Sequence, residues 1–420
     1  MRLLSLALGV AMLAAPAYAQ TEDLLQRLVE TSPDIAAAEE EAAAFRAEVW
    51  EARGRALPQL SMQAQAGTID ETFRINGVPG ELSAIRDPAA AIASVEQALF
   101  TSGRIGGTIG AAKAQAEQAE HSADAVRQDV ILQGAIAIAD LVRDRAIQAE
   151  RRENKRVVRG RREESEARRT AGLATSTDVE QSRARLALAE AQRISAEGGT
   201  ARSEAAFERV FGFPAPDDLR LPEASRALPG NLDTAIQAAV ASSPDLGASK
   251  DAQRAARHAV RAERGRVLPQ VSLNASAAYI ENERFGIELG EAEQYQVTVQ
   301  GRWNLFSGGS GYARTRAASK RARAARSRTH SVERLIRQQT IAAWADLVAS
   351  RSVVTARRAQ VEAARLAADG VAAEFRSGRR TRLDVLDADR ERTDAEVGLI
   401  TARADLATAE FKLLRVIGAL

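Results

Sequence analysis

At 420 residues, with 45% apolar side chains but only 4% aromatics, the chain takes much of its apolar content from alanine, which suits close helix packing better than one thick globular core. Lys and Arg total 58 against 56 Asp and Glu, a net charge of +2, too balanced for the basic footprint of a nucleic-acid binder. The absence of cysteine excludes disulfides and a lipid-acceptor thiol.

The first element in chain order is "MRLLSLALGVAMLAAPAYAQ". Arg2 precedes a short apolar core from Leu3 to Leu13, and Ala17-Tyr18-Ala19 fits a small-x-small cleavage pattern. Residues 1–19 therefore read as a secretory signal peptide, with a mature start at Gln20. The apolar run is far shorter than the ~20 residues a spanning helix needs.

The mature chain is an internal duplication. Pro33-Asp34 and Leu57-Pro58-Gln59 recur 211 positions later as Pro244-Asp245 and Leu268-Pro269-Gln270. Leu99-Phe100, Ala139-Asp140-Leu141-Val142, Gly172, Thr175, Asp178 and Val179 recur 206 positions later, ending with Arg415-Val416-x-Gly418 after Arg209-Val210-x-Gly212. The five-residue difference falls between the Leu-Pro-Gln and Leu-Phe markers, which places a variable loop there. Repeat 1 spans 20–212 and repeat 2 spans 231–420. Between them, 213–230 holds Pro214, Pro216, Pro222 and Pro229, dense enough to stop helices and central strands, and reads as a connector.

Each repeat opens on a helical stretch that Leu-Pro terminates, because the residue before proline is pushed out of the α region. A β-hairpin is then predicted, over about 58–100 in repeat 1 and 269–306 in repeat 2. Val271, Leu273, Ala275, Ala277 and Tyr279 alternate with Ser272, Asn274 and Ser276; on the return, Tyr295, Val297, Val299 and Trp303 alternate with Gln296, Thr298, Gln300, Arg302 and Asn304. In repeat 1, Leu60, Met62, Ala64 and Ala66 alternate with glutamines and a serine, but the return near Ala91 to Phe100 alternates poorly. Such strands suit a half-buried soluble sheet or a lipid-facing barrel with a wet lumen. Four strands cannot close a barrel, for which about eight is the minimum, so a barrel requires several chains.

The glycine-rich turns "SGRIGGTIG" and "SGGSGYA", with Gly103, Gly106, Gly308 and Gly309, follow the return strands. They lack the G-x-G-x-x-G spacing of a dinucleotide site and read as sharp strand-to-helix turns. From about Gly106 to Thr170, and again from Ala313 to Ser377, no proline intervenes, which predicts helices on the order of 100 Å long. Ile131, Ala135, Ile138 and Val142, then Ile341, Trp344 and Val348, and finally Val397, Ile400, Ala404, Ala407, Phe411 and Leu414 follow a 3-4 spacing that predicts left-handed coiled-coil packing. Each long helix turns, at Gly172 or Gly378, into a second helix running back.

The repeated Leu-Pro-Gln entry into a strand, the "LFTSGR" and "LFSGGS" turns and the tip "GRRTRLDVLDADRE" resemble the TolC-like outer-membrane factor family over essentially the whole mature chain. The resemblance implies a mainly α fold of duplicated long helical hairpins, with four transmembrane strands per chain. It implies a homotrimer with a shared twelve-stranded barrel in outer-membrane lipid and a helical tunnel in the periplasm. Its partners would be a periplasmic adaptor and an inner-membrane RND or ABC transporter, and these would set the cargo. No cofactor is implied.

The resemblance also assigns roles at the tips. Adaptors would engage the turns at Gly172, Leu173, Gly378 and Arg379. Arg380 resembles the arginine that ties the second hairpin to its neighbour, with Asp178 as partner. Phe375 stands where a tyrosine often makes a similar tie, and Asp384 and Asp387 match an acidic pair lining the constriction. The residues alone allow another account of two of these: Thr175-x-x-Asp178 and Thr381-x-x-Asp384 are capping-box patterns. Asp387, whose repeat-1 counterpart is Gln181, is not needed for a cap.

The basic run Arg314, Arg316, Lys320, Arg321, Arg323, Arg326 and Arg328 reads as a solvated coiled-coil face rather than a lipid-headgroup site. His121, His258 and His330 are scattered in sequence, with no metal-ligand spacing, and no nucleophile-base constellation can be assembled, so no enzyme is expected. The rival from another class is a periplasmic coiled-coil scaffold or adaptor carrying a soluble sheet.

Overall fold

Proline and glycine set where the helices begin and end. In the computed structural model, which describes residues 18–74, 76, 79–224, 227–281 and 290–420, Pro33 and Pro244 are each the first residue of a helix. Proline suits that position because its missing N–H has no intrahelical partner there anyway. The opening stretch of each repeat is therefore two helices rather than the single one expected. They are α1 (Tyr18–Thr31) and α2 (Pro33–Gly54) in repeat 1, and α5 (Leu232–Ser242) and α6 (Pro244–Gly265) in repeat 2. Most of the signal-peptide stretch, residues 1–17, lies outside the described residues.

The long helices are α3 (Arg104–Thr170) and α7 (Ser310–Arg376), each of 67 residues. Their return partners are α4 (Ser176–Phe211) and α8 (Arg382–Val416). Two compact units share the chain, and both long helices contribute to each.

One unit comprises Ala38–Ser122 and Asp245–Val332 and carries the strands. They are β1 (Gln59–Ala66), β2 (Ile69–Phe73), β3 (Leu82–Arg86), β4 (Ala89–Phe100), β5 (Gln270–Glu281) and β6 (Glu291–Arg302). The main sheet is antiparallel in the order β1-β4-β5-β6, and β2 and β3 form a separate ribbon in the repeat-1 loop. Residues 282–289, the other end of the variable-loop expectation, lie outside the described residues.

Cross-strand register explains the weak alternation of β4. Leu60, Val95, Ala275 and Val297 form one row, and Met62, Ala93, Ala277 and Tyr295 the next. Directly paired residues share a face, so these rows are apolar from edge to edge. The opposite face carries Ser61, Ser94, Ser276 and Gln296, then Gln59, Glu96, Asn274 and Thr298. Ala90, Ile92 and Ala98 are the apolar residues that blur the pattern on this polar side, and Gln97, opposite Leu273, interrupts the apolar one. Trp303 and Asn304, expected within the return strand, lie beyond the end of β6, whose outer edge has no partner strand among the described residues.

The other unit, which includes Ala123–Pro244 and Glu333–Leu420, is helical. Its core joins Leu24, Leu28 and Ile35 to Val130, Ile138 and Leu141 of α3 and to Phe207 and Phe211 of α4. On α8, Ala404, Ala407, Phe411 and Leu414 are buried as the 3-4 spacing predicts. On α7 the expected stripe faces outward: Ile341 and Val348 are 48% and 46% exposed, while Ile336, Thr340, Ala343, Leu347 and Val354 are buried. The buried positions of α7 are thus offset from the expected stripe, and farther along the helix Val361 and Ala364 pack with Ala395 of α8.

Candidate functional site

The two hairpin turns have one construction. Leu173 N–H donates to the Arg168 carbonyl at 2.8 Å and Gly172 N–H to Arg169 at 3.0 Å. Arg379 and Gly378 repeat these bonds onto Glu374 and Phe375 at 2.9 and 3.0 Å. This is the Schellman pattern, which needs a left-handed residue at its centre; Gly172 and Gly378 supply φ of 72° and 76°. Leu173 stands 68% exposed at the first turn, with Arg379 as its exposed counterpart at the second.

The return helices start on capping boxes. Thr175 N–H donates to an Asp178 carboxylate oxygen at 2.9 Å, and Asp178 N–H donates back to the Thr175 hydroxyl at 3.1 Å. Thr381 and Asp384 do the same at 2.8 and 3.3 Å. The threonine N–H first, and its hydroxyl second, hold both carboxyls below the usual carboxylate range. Val179 and Val385, one residue on, are buried beneath the caps.

The single chain does not bring Arg380 to Asp178. Arg380 pairs with Glu374 of its own turn at 2.8 Å, while Asp178 is engaged by its cap. Phe375 is the floor for two guanidiniums, Arg382 at 4.5 Å and Arg168 at 5.1 Å from its ring centre. Asp384 and Asp387 belong to one turn of α8, and Asp387 is ion-paired with Arg185 of α4 at 2.6 Å. At the strand-helix turns, Gly103, Gly308 and Gly309 have φ of 83°, 60° and 77°. Gly106 lies inside the first turn of α3, because Ser102 and Gly103 alone complete that reversal.

Sequence reasoning missed the ties that join the hairpins. Arg382, only 7% exposed, makes a two-pronged pair with Glu164 of α3 at 2.8 and 2.9 Å. Arg161 of α3 meets the buried Asp389 of α8 at 3.1 Å. The repeat comparison held a usable signal. Arg382 replaces Ser176, Asp389 replaces Arg183, and Arg185 has Glu391 as its counterpart. At these three positions the charge appears or reverses between the copies, and each pair crosses from one hairpin to the other.

Farther along the same unit, Glu150 of α3 meets Glu396 of α8. Burial, then the hydrogen bond and charge of Glu396, push Glu150 up to about 7. Burial also works to raise Glu396, but the bond from Glu150 and the Arg365 guanidinium at 2.8 Å outweigh it and leave Glu396 low. One proton is thus shared and resides on Glu150. Its pKa is raised on folding, so its contribution is complete below the unfolded carboxyl value and is lost as pH rises through about 7. Glu150→Gln is expected to flatten the fall in thermal stability between pH 5 and 8; an unchanged pH slope would remove this pair from the account.

A family model described as outer membrane efflux protein matches residues 24–212 and again 235–419. The outer membrane efflux protein BepC of Brucella suis biovar 1 is 31% identical over 324 residues, 77% of this chain and 71% of BepC. The outer membrane protein TolC of Vibrio cholerae serotype O1 is 27% identical over 316 residues, 74% of this chain and 72% of TolC. Among solved structures, the outer membrane protein VceC of Vibrio cholerae superposes with a TM-score of 0.82 at 19% identity, over 95% of this chain and 96% of VceC.

Proposed function

Because this chain belongs to the outer membrane efflux protein family, we propose that it is the passive outer-membrane exit duct of a tripartite efflux pump or type I secretion system, working as a homotrimer. Its relatives are outer-membrane channel proteins, not enzymes. The observation that carries the proposal is the main sheet, apolar across one face, polar across the other and open at both edges. Three copies would join β6 to β1 and give twelve strands around a wet lumen.

In this reading the turns at Gly172, Leu173, Gly378 and Arg379 meet a periplasmic adaptor, which in turn holds an RND or ABC transporter. Arg380 exchanges Glu374 for Asp178 of a neighbouring chain when the tip is closed. Asp384 and Asp387, threefold repeated near the axis, make a ring that favours cations. Arg185 damps that ring by pairing with Asp387. The scaffold reading loses ground, because a soluble sheet would not leave Leu60, Met62, Tyr295 and Val297 at 72–76% exposure.

The test is the conductance of protein extracted from outer membranes into planar bilayers. The proposal expects detergent-dependent extraction, a heat-sensitive trimer and cation preference. Asp384→Ala with Asp387→Ala should abolish the preference, Arg185→Ala should raise it, and Arg380→Ala should increase conductance. Extraction without detergent and no conductance would overturn the duct; unchanged selectivity and conductance would overturn only the gate.

A further inference from the structure

Within the helical unit, α3 and α4 leave a groove of about 520 Å³ between them. Lys155, Arg159 and Arg162 of α3 line it with Arg183, Leu186 and Ala187 of α4. On the side of the Gly172 turn it is closed by Ser165, whose hydroxyl meets that of Ser182 at 3.1 Å. At the other end Lys155 pairs with Glu190, the single acid of the lining. Lys155, Arg159 and Arg162 follow a 4-3 spacing, so they share one face of α3 and span on the order of 10 Å.

These cations are held loosely or not at all. Arg162 donates two bonds to Glu166, at 3.1 and 3.3 Å, and Arg183 donates one to Glu180 at 3.0 Å. Both are pairs within a single helix, worth a few tenths of a kcal/mol, and they leave further N–H groups of each guanidinium unused. Arg159 is exposed and has no hydrogen bond or ion pair among the described residues.

The second repeat shows why Arg159 is left over. Its counterpart Arg365 pairs at 2.8 Å with Glu396, which is the counterpart of Glu190. In repeat 1 that carboxylate is already taken. The bond from Arg193, at 2.9 Å, and then the one from Lys155 hold Glu190 down to about 2. Repeat 2 has Leu399 and Val361 at those two positions, packed with Ala364 and Ala395 in an apolar cluster. Arg162 and Arg183 likewise stand where repeat 2 has the buried Ala368 and Asp389. The first hairpin has thus replaced an apolar seam by four cations around one acid, and two of the exchanges displace Arg159 from the partner its counterpart keeps.

We propose that this groove binds a small soluble oxyanion of the diphosphate class, held by Arg159, Arg162 and Arg183 and bridging α3 to α4. Planar guanidiniums offer paired N–H groups that match phosphate oxygens. Three of them, drawn from two helices, suit an anion with several charges and more than one phosphate-type group. Leu186 and Ala187 are the apolar part of the lining, too little to seat a lipid chain. Exchanging the local bonds to Glu166 and Glu180 for the anion costs little, because exposed pairs contribute little. The site does not depend on the duct reading above.

Calorimetric titration of the intact protein with inorganic pyrophosphate tests this. Binding should be saturable and should not be reproduced by sodium chloride at equal ionic strength, which screens charge without filling a site. Arg159→Ala should weaken binding about tenfold, while Arg365→Ala, the same change in repeat 2, should leave it unchanged. Lys155→Val with Arg193→Leu gives the groove the residues of repeat 2, returns Glu190 to Arg159, and should abolish binding. Arg159 is exposed, so Arg159→Ala decides the matter by itself if the double variant does not fold. A heat signal that chloride matches, or pyrophosphate affinity unchanged in Arg159→Ala, would overturn the site.

Discussion

Val297→Arg is expected to destabilise the membrane-embedded protein by about 2–4 kcal/mol, the cost of a cation near the middle of the lipid face of a barrel. Val297 pairs with Ala275 in a row that runs through Val95 to Leu60, and it is 72% exposed in the single chain. The exposure is of the kind lipid covers. Thr298→Arg, one residue on, points to the polar face with Asn274 and Glu96 and should leave folding nearly unchanged while reducing cation preference. The pair is read by the heat-modifiable fraction in outer membranes and by single-channel selectivity. Equal folding defects in both variants would mean that the two faces are not differently solvated.

Phe207→Ala should cost about 3–5 kcal/mol, the usual range for emptying a buried aromatic site. Phe207 is 0% exposed, stacks on Phe211 at 4.2 Å and 17°, and meets Phe213 edge-on at 6.0 Å. It shares its cluster with Leu28 and Leu141, so one side chain holds the end of α4 against α3 and α1. Stacked rings and helix backbones leave little freedom to collapse into the space, which places the cost at the upper end. Phe211→Leu, closer in volume, should lose distinctly less. The readouts are the thermal midpoint followed by circular dichroism and the hydrogen exchange of amides near the end of α4. A midpoint for Phe207→Ala within a degree of wild type would show that this cluster does not anchor the helix.

The resemblance of the chain to a family of export ducts was legible because that fold is written in local signals. Leu-Pro-Gln ends a helix and starts a strand, Gly172 and Gly378 turn long helices, and Thr175 and Thr381 cap the returns; each depends on neighbours within a few residues. The same signals placed Asp178 and Asp384 in caps. The break at Pro33 and Pro244 was legible too, yet easily passed over, since a proline at the first helical position leaves the pattern on either side intact.

What the sequence by itself determined is therefore the list of elements, their order and their duplication, because backbone preferences and apolar periods act at short range. The tertiary structure decided which faces meet. The row from Leu60 to Val297 emerges only from strand register, and Arg382 reaches Glu164 across 218 positions of sequence because α3 and α8 pack at one rotation and one stagger. No spacing within a single helix specifies that rotation. It is set by the neighbour each face buries against, as Val361 and Ala364 of α7 bury against Ala395 of α8.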